Sequence, residues 1–177
     1  MAMALLLATA LALVGFVFTS IQGFAITAGP HVTRHVGYAI PTVLFSLFSQ
    51  SMVIFYFIGT GKLVKEETAG LPDAERAAIL SALRRFKMKT SPPATFALLS
   101  AIAVFVLGGA AHTRALPAWV HLASAVAASG THLWAFAAEA RAFTENNRLM
   151  DDPKAYGLAC VARRDQRTPS PDGRGPG

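Results

Sequence analysis

The uncharged segment from His35 to Gly61 restricts the possible fold more than any other part of the chain. As a helix rising about 1.5 Å per residue, it is long enough to cross the ~30 Å hydrocarbon core of a bilayer. Its polar residues share one helical face, whereas the other faces are mostly apolar. Because polar groups in lipid need hydrogen-bond partners, that face should point into a protein interior. The residues of the polar face are His35, Tyr38, Thr42, Ser46, Ser49, Tyr56 and Thr60.

The composition places this segment in a membrane protein. Hydrophobic residues make up 53% of the 177 residues and charged residues 15%, and the mean hydropathy is +0.44. An ordinary soluble domain does not have such a composition. Further apolar segments lie on both sides of the first, with Gly and Pro at the turns between them. We therefore predict an all-α integral membrane protein, an antiparallel bundle of four transmembrane helices within residues 1–145, with spans at 2–27, 35–61, 94–112 and 117–140.

The first of these spans has an alternative interpretation as a cleaved signal peptide. However, no Lys or Arg precedes its apolar run. The run also exceeds the ~7–15 residues of a usual signal-peptide core. We expect a retained helix.

Residues 62–93 are rich in charge, and we predict that they form a cytoplasmic loop that contains an amphipathic helix. Asp73 is the expected N-cap, and Ser91-Pro92-Pro93 is expected to end this helix and to open the third span. The helix could lie on the membrane surface or pack as a hairpin on the ends of the bundle, and the sequence favours neither. Its apolar stripe consists of Ile79, Leu80, Leu83 and Phe86, beside the basic residues Arg84, Arg85, Lys87 and Lys89.

The basic residues predict the orientation of the spans. The turns at one end contain only Arg34 and Arg114, whereas the 62–93 loop and the polar segment 146–177 contain most of the others. By the positive-inside rule, the loop and both termini are cytoplasmic, in what we expect to be a bacterial inner membrane. We predict that 146–177 is a disordered tail. The sequence pI of about 10.0 reflects this orientation rather than nucleic-acid binding. The expected partners are the lipid bilayer and other membrane subunits or further copies of this chain.

Histidines are concentrated at the predicted outer end. His31, His35, His112 and His121 all lie at or near it. No Asp or Glu precedes Glu139 in the spans or the outer turns, which argues against a hydrolytic zinc site, because such sites use a carboxylate. The remaining interpretations are tetrapyrrole ligation, a copper or zinc site made of these histidines alone, and simple hydrogen bonding.

The fourth span indicates which of these interpretations to prefer. His121 and His132 are eleven residues apart. This spacing corresponds to about 16 Å along a helix and to nearly the same face. Small and polar residues on that face leave room for a planar cofactor or a close helix. In helix-bundle cytochromes, axial histidines project inward from facing helices in this manner. We therefore predict a haem b held by His35 and His121, with His112 as the alternative to either. In helix number and residue type, the arrangement is similar to that of membrane cytochrome b subunits.

His132 lies deeper in the predicted bundle, where no second histidine is available. One interpretation is a quinone site in which His132, Tyr56 and Gln50 bond the carbonyl oxygens of the ring. The other is that His132 bonds across helices to Ser49 or Tyr56 only to satisfy its own ring nitrogens.

The motifs of common enzyme classes do not occur: there is no Gly-rich phosphate loop, HExxH or CxxC. The predicted function is that of a small membrane subunit that binds a b-type haem or a related tetrapyrrole and exchanges electrons with a quinone or a partner protein. One alternative is a cofactor-free accessory or assembly subunit of a larger membrane complex. The other is a copper or zinc site at the outer face.

Overall fold

The computed structural model describes residues 1–25, 30–152, 155, 157 and 158. Within these residues there are four helices and no strand. They are α1 (Ala2–Phe24), α2 (Pro30–Glu67), α3 (Asp73–His112) and α4 (Ala118–Asp151). The all-helical prediction is confirmed. Among the described helices, α1, α2 and α3 are long and apolar enough to cross a membrane, as the class prediction requires.

The helices form a closed ring in the order α1, α2, α3, α4, with α4 also packed against α1. Contacts between named pairs define their directions. Gly15 lies against Thr42 and Gly23 against His35, so α1 and α2 are antiparallel. Ser100 bonds Thr131 and Gly108 lies against His121, so α3 and α4 are antiparallel as well.

Small residues form the seam between α3 and α4. Ala97 and Ala101 on α3 are fully buried, as are Ala128 and Ala135 on α4. Small side chains let helix backbones approach closely and pack by van der Waals contact. The space beside the small residues of α4 is therefore occupied largely by neighbouring helices.

The predicted helix break at Ser91-Pro92-Pro93 is wrong. Helix α2 continues to Glu67, and α3 runs unbroken from Asp73 to His112 through Pro92 and Pro93. A proline in a helix removes one N–H and leaves the carbonyl four residues earlier without its partner. Those carbonyls belong to Met88 and Lys89, which are exposed residues. The helix nevertheless continues through both prolines.

The amphipathic stripe is covered by protein rather than by a membrane surface. Ile79 is fully buried in a cluster with Val64 of α2 and Leu149 of α4, and Leu83 and Phe86 pack against the same cluster. This is the hairpin alternative, in which the helix packs on the end of the bundle. The predicted N-cap is also displaced, because Pro72 is the N-cap and Asp73 is the first helical residue.

The predicted disordered tail begins too early. Residues 146–151 are the last turns of α4, and Asn146 and Leu149 are buried there. Their burial against α2 and α3 explains why a polar stretch remains helical. The part of the tail prediction that falls on residues 153, 154, 156 and 159–177 lies outside the described residues.

Candidate functional site

Helices α2 and α4 lie diagonally across the bundle and bring polar side chains together in its interior. We call these pairs the polar ladder: His35–His121, Ser46–His132, Gln50–Glu139 and Tyr56–Asn146. Eleven residues separate the first two pairs on both helices, from His35 to Ser46 and from His121 to His132. Because the two helices run in the same direction with the same spacing, the pairs repeat about 16 Å apart along the axis.

The outermost pair of the ladder joins two half-buried imidazoles. The ring centroids of His35 and His121 are 6.1 Å apart, and the ring planes are inclined at 76°. The Nδ1 atom of each ring is buried and has no hydrogen-bond partner of standard geometry, although the Val104 backbone lies close to the His121 ring. Buried polar atoms normally find a partner, so an orphaned nitrogen on each of two neighbouring rings indicates an unsatisfied ligand or hydrogen-bond site.

Each of these imidazoles lies against a glycine of the neighbouring helix. A Cβ atom placed on Gly108 of α3 would stand 2.9 Å from Cε1 of His121, closer than real contacts allow. On the other side, a Cβ on Gly23 of α1 would stand 3.8 Å from Cε1 of His35. All four helices therefore contribute to this end of the interior, two with histidine and two with glycine.

The other two outer histidines are not part of this group. His31, in the first turn of α2, and His112, the last residue of α3, are both exposed. Across the described part of the chain, no group of three or more His, Cys, Asp or Glu side chains is placed to hold a metal ion. The structure thus brings together His35 and His121 of the proposed four-histidine set and leaves the other two at the surface.

His132 is fully buried and both of its ring nitrogens are engaged. Nδ1 lies 2.8 Å from the Ala128 carbonyl oxygen, and Nε2 lies 2.6 Å from the Ser46 hydroxyl. A carbonyl can only accept, so Nδ1 carries the proton and Nε2 accepts the hydrogen bond from Ser46. The Phe16 ring stacks on the imidazole with centroids 4.1 Å apart. A ligand at His132 would have to displace one of these hydrogen bonds. The contacts of His132 agree with the interpretation that it bonds across helices to satisfy its own ring nitrogens, although its partner is Ser46 rather than Ser49 or Tyr56.

Tyr56 belongs to the innermost pair of the ladder. Its hydroxyl oxygen accepts a hydrogen bond of 3.0 Å from the Asn146 side-chain amide. The quinone interpretation groups His132, Gln50 and Tyr56, but the structure distributes them over three successive pairs of the ladder.

Glu139 is the residue of the interior that sequence reasoning passed over. Its side chain is fully buried, with the side chains of Thr9 and Gln50 beside the carboxyl group. Neither carboxyl oxygen has a hydrogen-bond partner. Its spacing, seven residues after His132, places it on the same helical face, but spacing within one helix does not show what the carboxyl group packs against.

The chain matches no protein-family model, no curated protein and no solved structure at a significant level of similarity.

Proposed function

We propose that this chain is a four-span membrane subunit that binds a b-type haem, or a related tetrapyrrole, through His35 and His121. The site lies near the outer face of a bacterial inner membrane, and the subunit passes electrons to or from a quinone or a partner protein. The observation that carries the proposal is the pair of facing imidazoles, 6.1 Å apart, with orphaned Nδ1 atoms.

The exposed surface of α4 supports a fourth span. Its exposed large side chains over the first five turns are apolar: Trp119, Val126, Leu133 and Trp134. The two histidines that lower the hydropathy of the helix, His121 and His132, face the interior. A helix with an apolar outer face and polar side chains that point into the protein is compatible with lipid, because polar groups at membrane depth must find their partners inside the protein.

The donor set fits a tetrapyrrole better than a bare metal ion. His35 and His121 would be the residues that hold the iron of a haem, each through one imidazole nitrogen. The protein would need to supply no further ligand, because the macrocycle brings its own four nitrogens. A structural zinc site usually takes four protein ligands and a catalytic one three.

The protein's own contribution is orientation and exclusion of water. Gly108 lets the backbone of α3 approach the ring of His121, and α1 contacts the ring of His35 near Gly23. Below the rings, an apolar cluster formed by Phe16, Val43, Ala101, Val104, Ala125 and Ala128 closes the interior. When bound, a haem supplies one-electron chemistry at its iron, and a dry surrounding tunes its reduction potential.

The test is an absorption spectrum of the detergent-purified protein, expressed with added haem precursor, in its oxidised and dithionite-reduced forms. We expect a Soret band and sharp reduced α and β bands that disappear in His35→Ala and in His121→Ala. His31→Ala and His112→Ala are matched controls, because both histidines are exposed at the same end of the bundle, and both variants should keep the spectrum.

Metal analysis of the same samples separates the alternatives. Stoichiometric copper or zinc with a featureless haem region would reassign the pair to a small metal site. If neither haem nor metal co-purifies from well-supplied cells, the histidines are structural and the accessory-subunit alternative replaces the proposal.

A further inference from the structure

Glu139 is a buried carboxyl group that the haem proposal does not use. It is the only Asp or Glu in residues 1–61 and 94–140. It lies on α4 between the Ser46–His132 and Tyr56–Asn146 pairs of the ladder, and its exposed fraction is 0%. A charged group buried in this way needs a partner of opposite charge or has to lose its charge.

Among the residues that the structure describes, no cationic side chain is in a position to neutralise Glu139. Helix α1 contains no titratable side chain, and on α3 the cationic side chains nearest the level of Glu139 are Lys87 and Lys89, which are both exposed. On α2, the nearest titratable group is Tyr56, which is engaged with Asn146. On α4, both nitrogens of His132 are engaged and the Arg141 side chain is exposed.

The polar groups beside the carboxyl can accept a hydrogen bond from it. The Thr9 hydroxyl lies 3.1 Å from the Leu6 carbonyl oxygen, and when it donates to that carbonyl its own oxygen is available to accept from Glu139. The Oε1 atom of Gln50 is buried and has no donor. An ionised carboxylate would add two more acceptors to this group, whereas a carboxylic acid contributes one O–H donor.

We propose that Glu139 is a proton-binding site in the interior of the bundle, formed by its carboxyl group together with Thr9 and Gln50. One proton adds to a carboxylate oxygen, and the resulting O–H donates to the Gln50 amide oxygen or to the Thr9 hydroxyl oxygen. Proton binding thus removes the net charge and satisfies an orphaned acceptor in a single step. Arg141, two residues further along α4, is exposed, so the site lies close to the charged end of the bundle, from which a proton can enter.

A proton fits this site better than a metal cation. Hard cations such as Mg²⁺ and Ca²⁺ take about six or more oxygen ligands. The site offers the two carboxyl oxygens, one amide and one hydroxyl. The inference does not depend on haem binding, and its test needs no cofactor.

The test is infrared spectroscopy of the full-length protein at neutral pH in H₂O and in D₂O. We expect the C=O stretch of a protonated carboxylic acid, shifted in D₂O and missing from Glu139→Gln, which resembles the neutral acid in shape. Glu145→Gln is the matched control on the same helix, where the side chain is partly exposed, and should leave the band unchanged. Thr9→Val and Gln50→Leu should shift the band without removing it, because each removes one hydrogen-bond partner.

The absence of this band from the wild-type protein would overturn the proposal, as would a band that persists in Glu139→Gln. A second measurement follows the thermal midpoint while Na⁺ is exchanged for choline. We expect no change in the wild type. A Na⁺-dependent rise that Glu139→Gln abolishes would assign the site to a metal cation and would also overturn the proposal.

Discussion

The histidines of the bundle interior differ in what their ring nitrogens contact. His132 donates to Ala128 and accepts from Ser46, so its hydrogen-bonding capacity is used within the protein. His35 and His121 each retain a buried Nδ1 atom without a partner. Burying an unsatisfied polar atom destabilises a protein by about 1–3 kcal/mol. A ligand that bonds His35 and His121 would therefore satisfy buried nitrogen atoms that have no partner, whereas a ligand at His132 would have to replace hydrogen bonds that already exist.

Substitution of Gly108 tests whether its close approach to His121 positions the ligand. Gly108→Ala places a Cβ 2.9 Å from Cε1 of His121, and the ring must move. Overpacking of this kind costs about 1–3 kcal/mol, so we expect haem affinity to fall about tenfold or more. Haem titration of the apoprotein measures this change. Gly109→Ala is the control, because nothing lies within 4 Å of a Cβ at that position. Equal affinities in the two variants would show that Gly108 does not position the ring.

Removal of the Ser46 hydroxyl tests the structural role of His132. Ser46→Ala leaves the buried Nε2 atom of His132 without its partner, so we expect a loss of about 1–3 kcal/mol in the free energy of unfolding. The haem spectrum should be unchanged, because the outer pair lies about 16 Å away along the axis. Denaturant unfolding in detergent provides the measurement. Ser81→Ala is the control, since that hydroxyl is exposed and bonds only the Ala78 carbonyl of its own helix. A lost Soret band in Ser46→Ala would instead implicate the second pair in cofactor binding.

At the scale of the helices, the sequence predicts the helical class and most of the polar face of α2, because both depend on spacing within one segment. Tyr38 is the exception on that face, because its side chain is exposed. The continuity of α3 could not be obtained in this way. Pro92 and Pro93 are local helix breakers, yet α3 continues through them. Its N-terminal part is held against α2 and α4 by the packing of Ile79, a contact between helices that spacing within one segment does not reveal. The same limitation applies to Glu139, whose burial depends on Thr9 and Gln50 from two other helices.

Pro92 offers a direct test of how packing maintains α3. The residue is exposed inside the helix, so Pro92→Ala restores an N–H donor for the Met88 carbonyl without removing buried surface. Proline in a helix interior costs about 3 kcal/mol relative to alanine, and we expect a gain of about 1–3 kcal/mol in unfolding free energy. Circular dichroism during thermal unfolding measures this gain. Pro93→Ala should give a smaller gain, because that ring is buried. Destabilisation by Pro92→Ala would mean that the proline sets a bend that the bundle needs.

At the scale of the whole molecule, the register of α3 and α4 defines a membrane-sized band. Gly108 lies opposite His121, and counting along the antiparallel pair places Lys89 beside Arg141. About twenty residues separate these two levels on each helix, or about 30 Å at 1.5 Å per residue, which is the thickness of a hydrocarbon core. The outer histidine pair therefore lies at one boundary, and the basic residues begin at the other.

The charge distribution predicts the orientation of this band, and single cysteines can test it. Ala115 lies in the exposed turn between α3 and α4, and Ala69 lies in the exposed connection between α2 and α3. Each is replaced by cysteine in a Cys160→Ser variant, which lacks the single native cysteine. Lys and Arg concentrate on the cytoplasmic side of membrane proteins, and here they flank the second connection. We expect a membrane-impermeant maleimide to label Ala115→Cys in intact spheroplasts and Ala69→Cys only after lysis. The reverse pattern would place the histidine pair at the cytoplasmic face, and electron exchange would then have to involve a cytoplasmic partner.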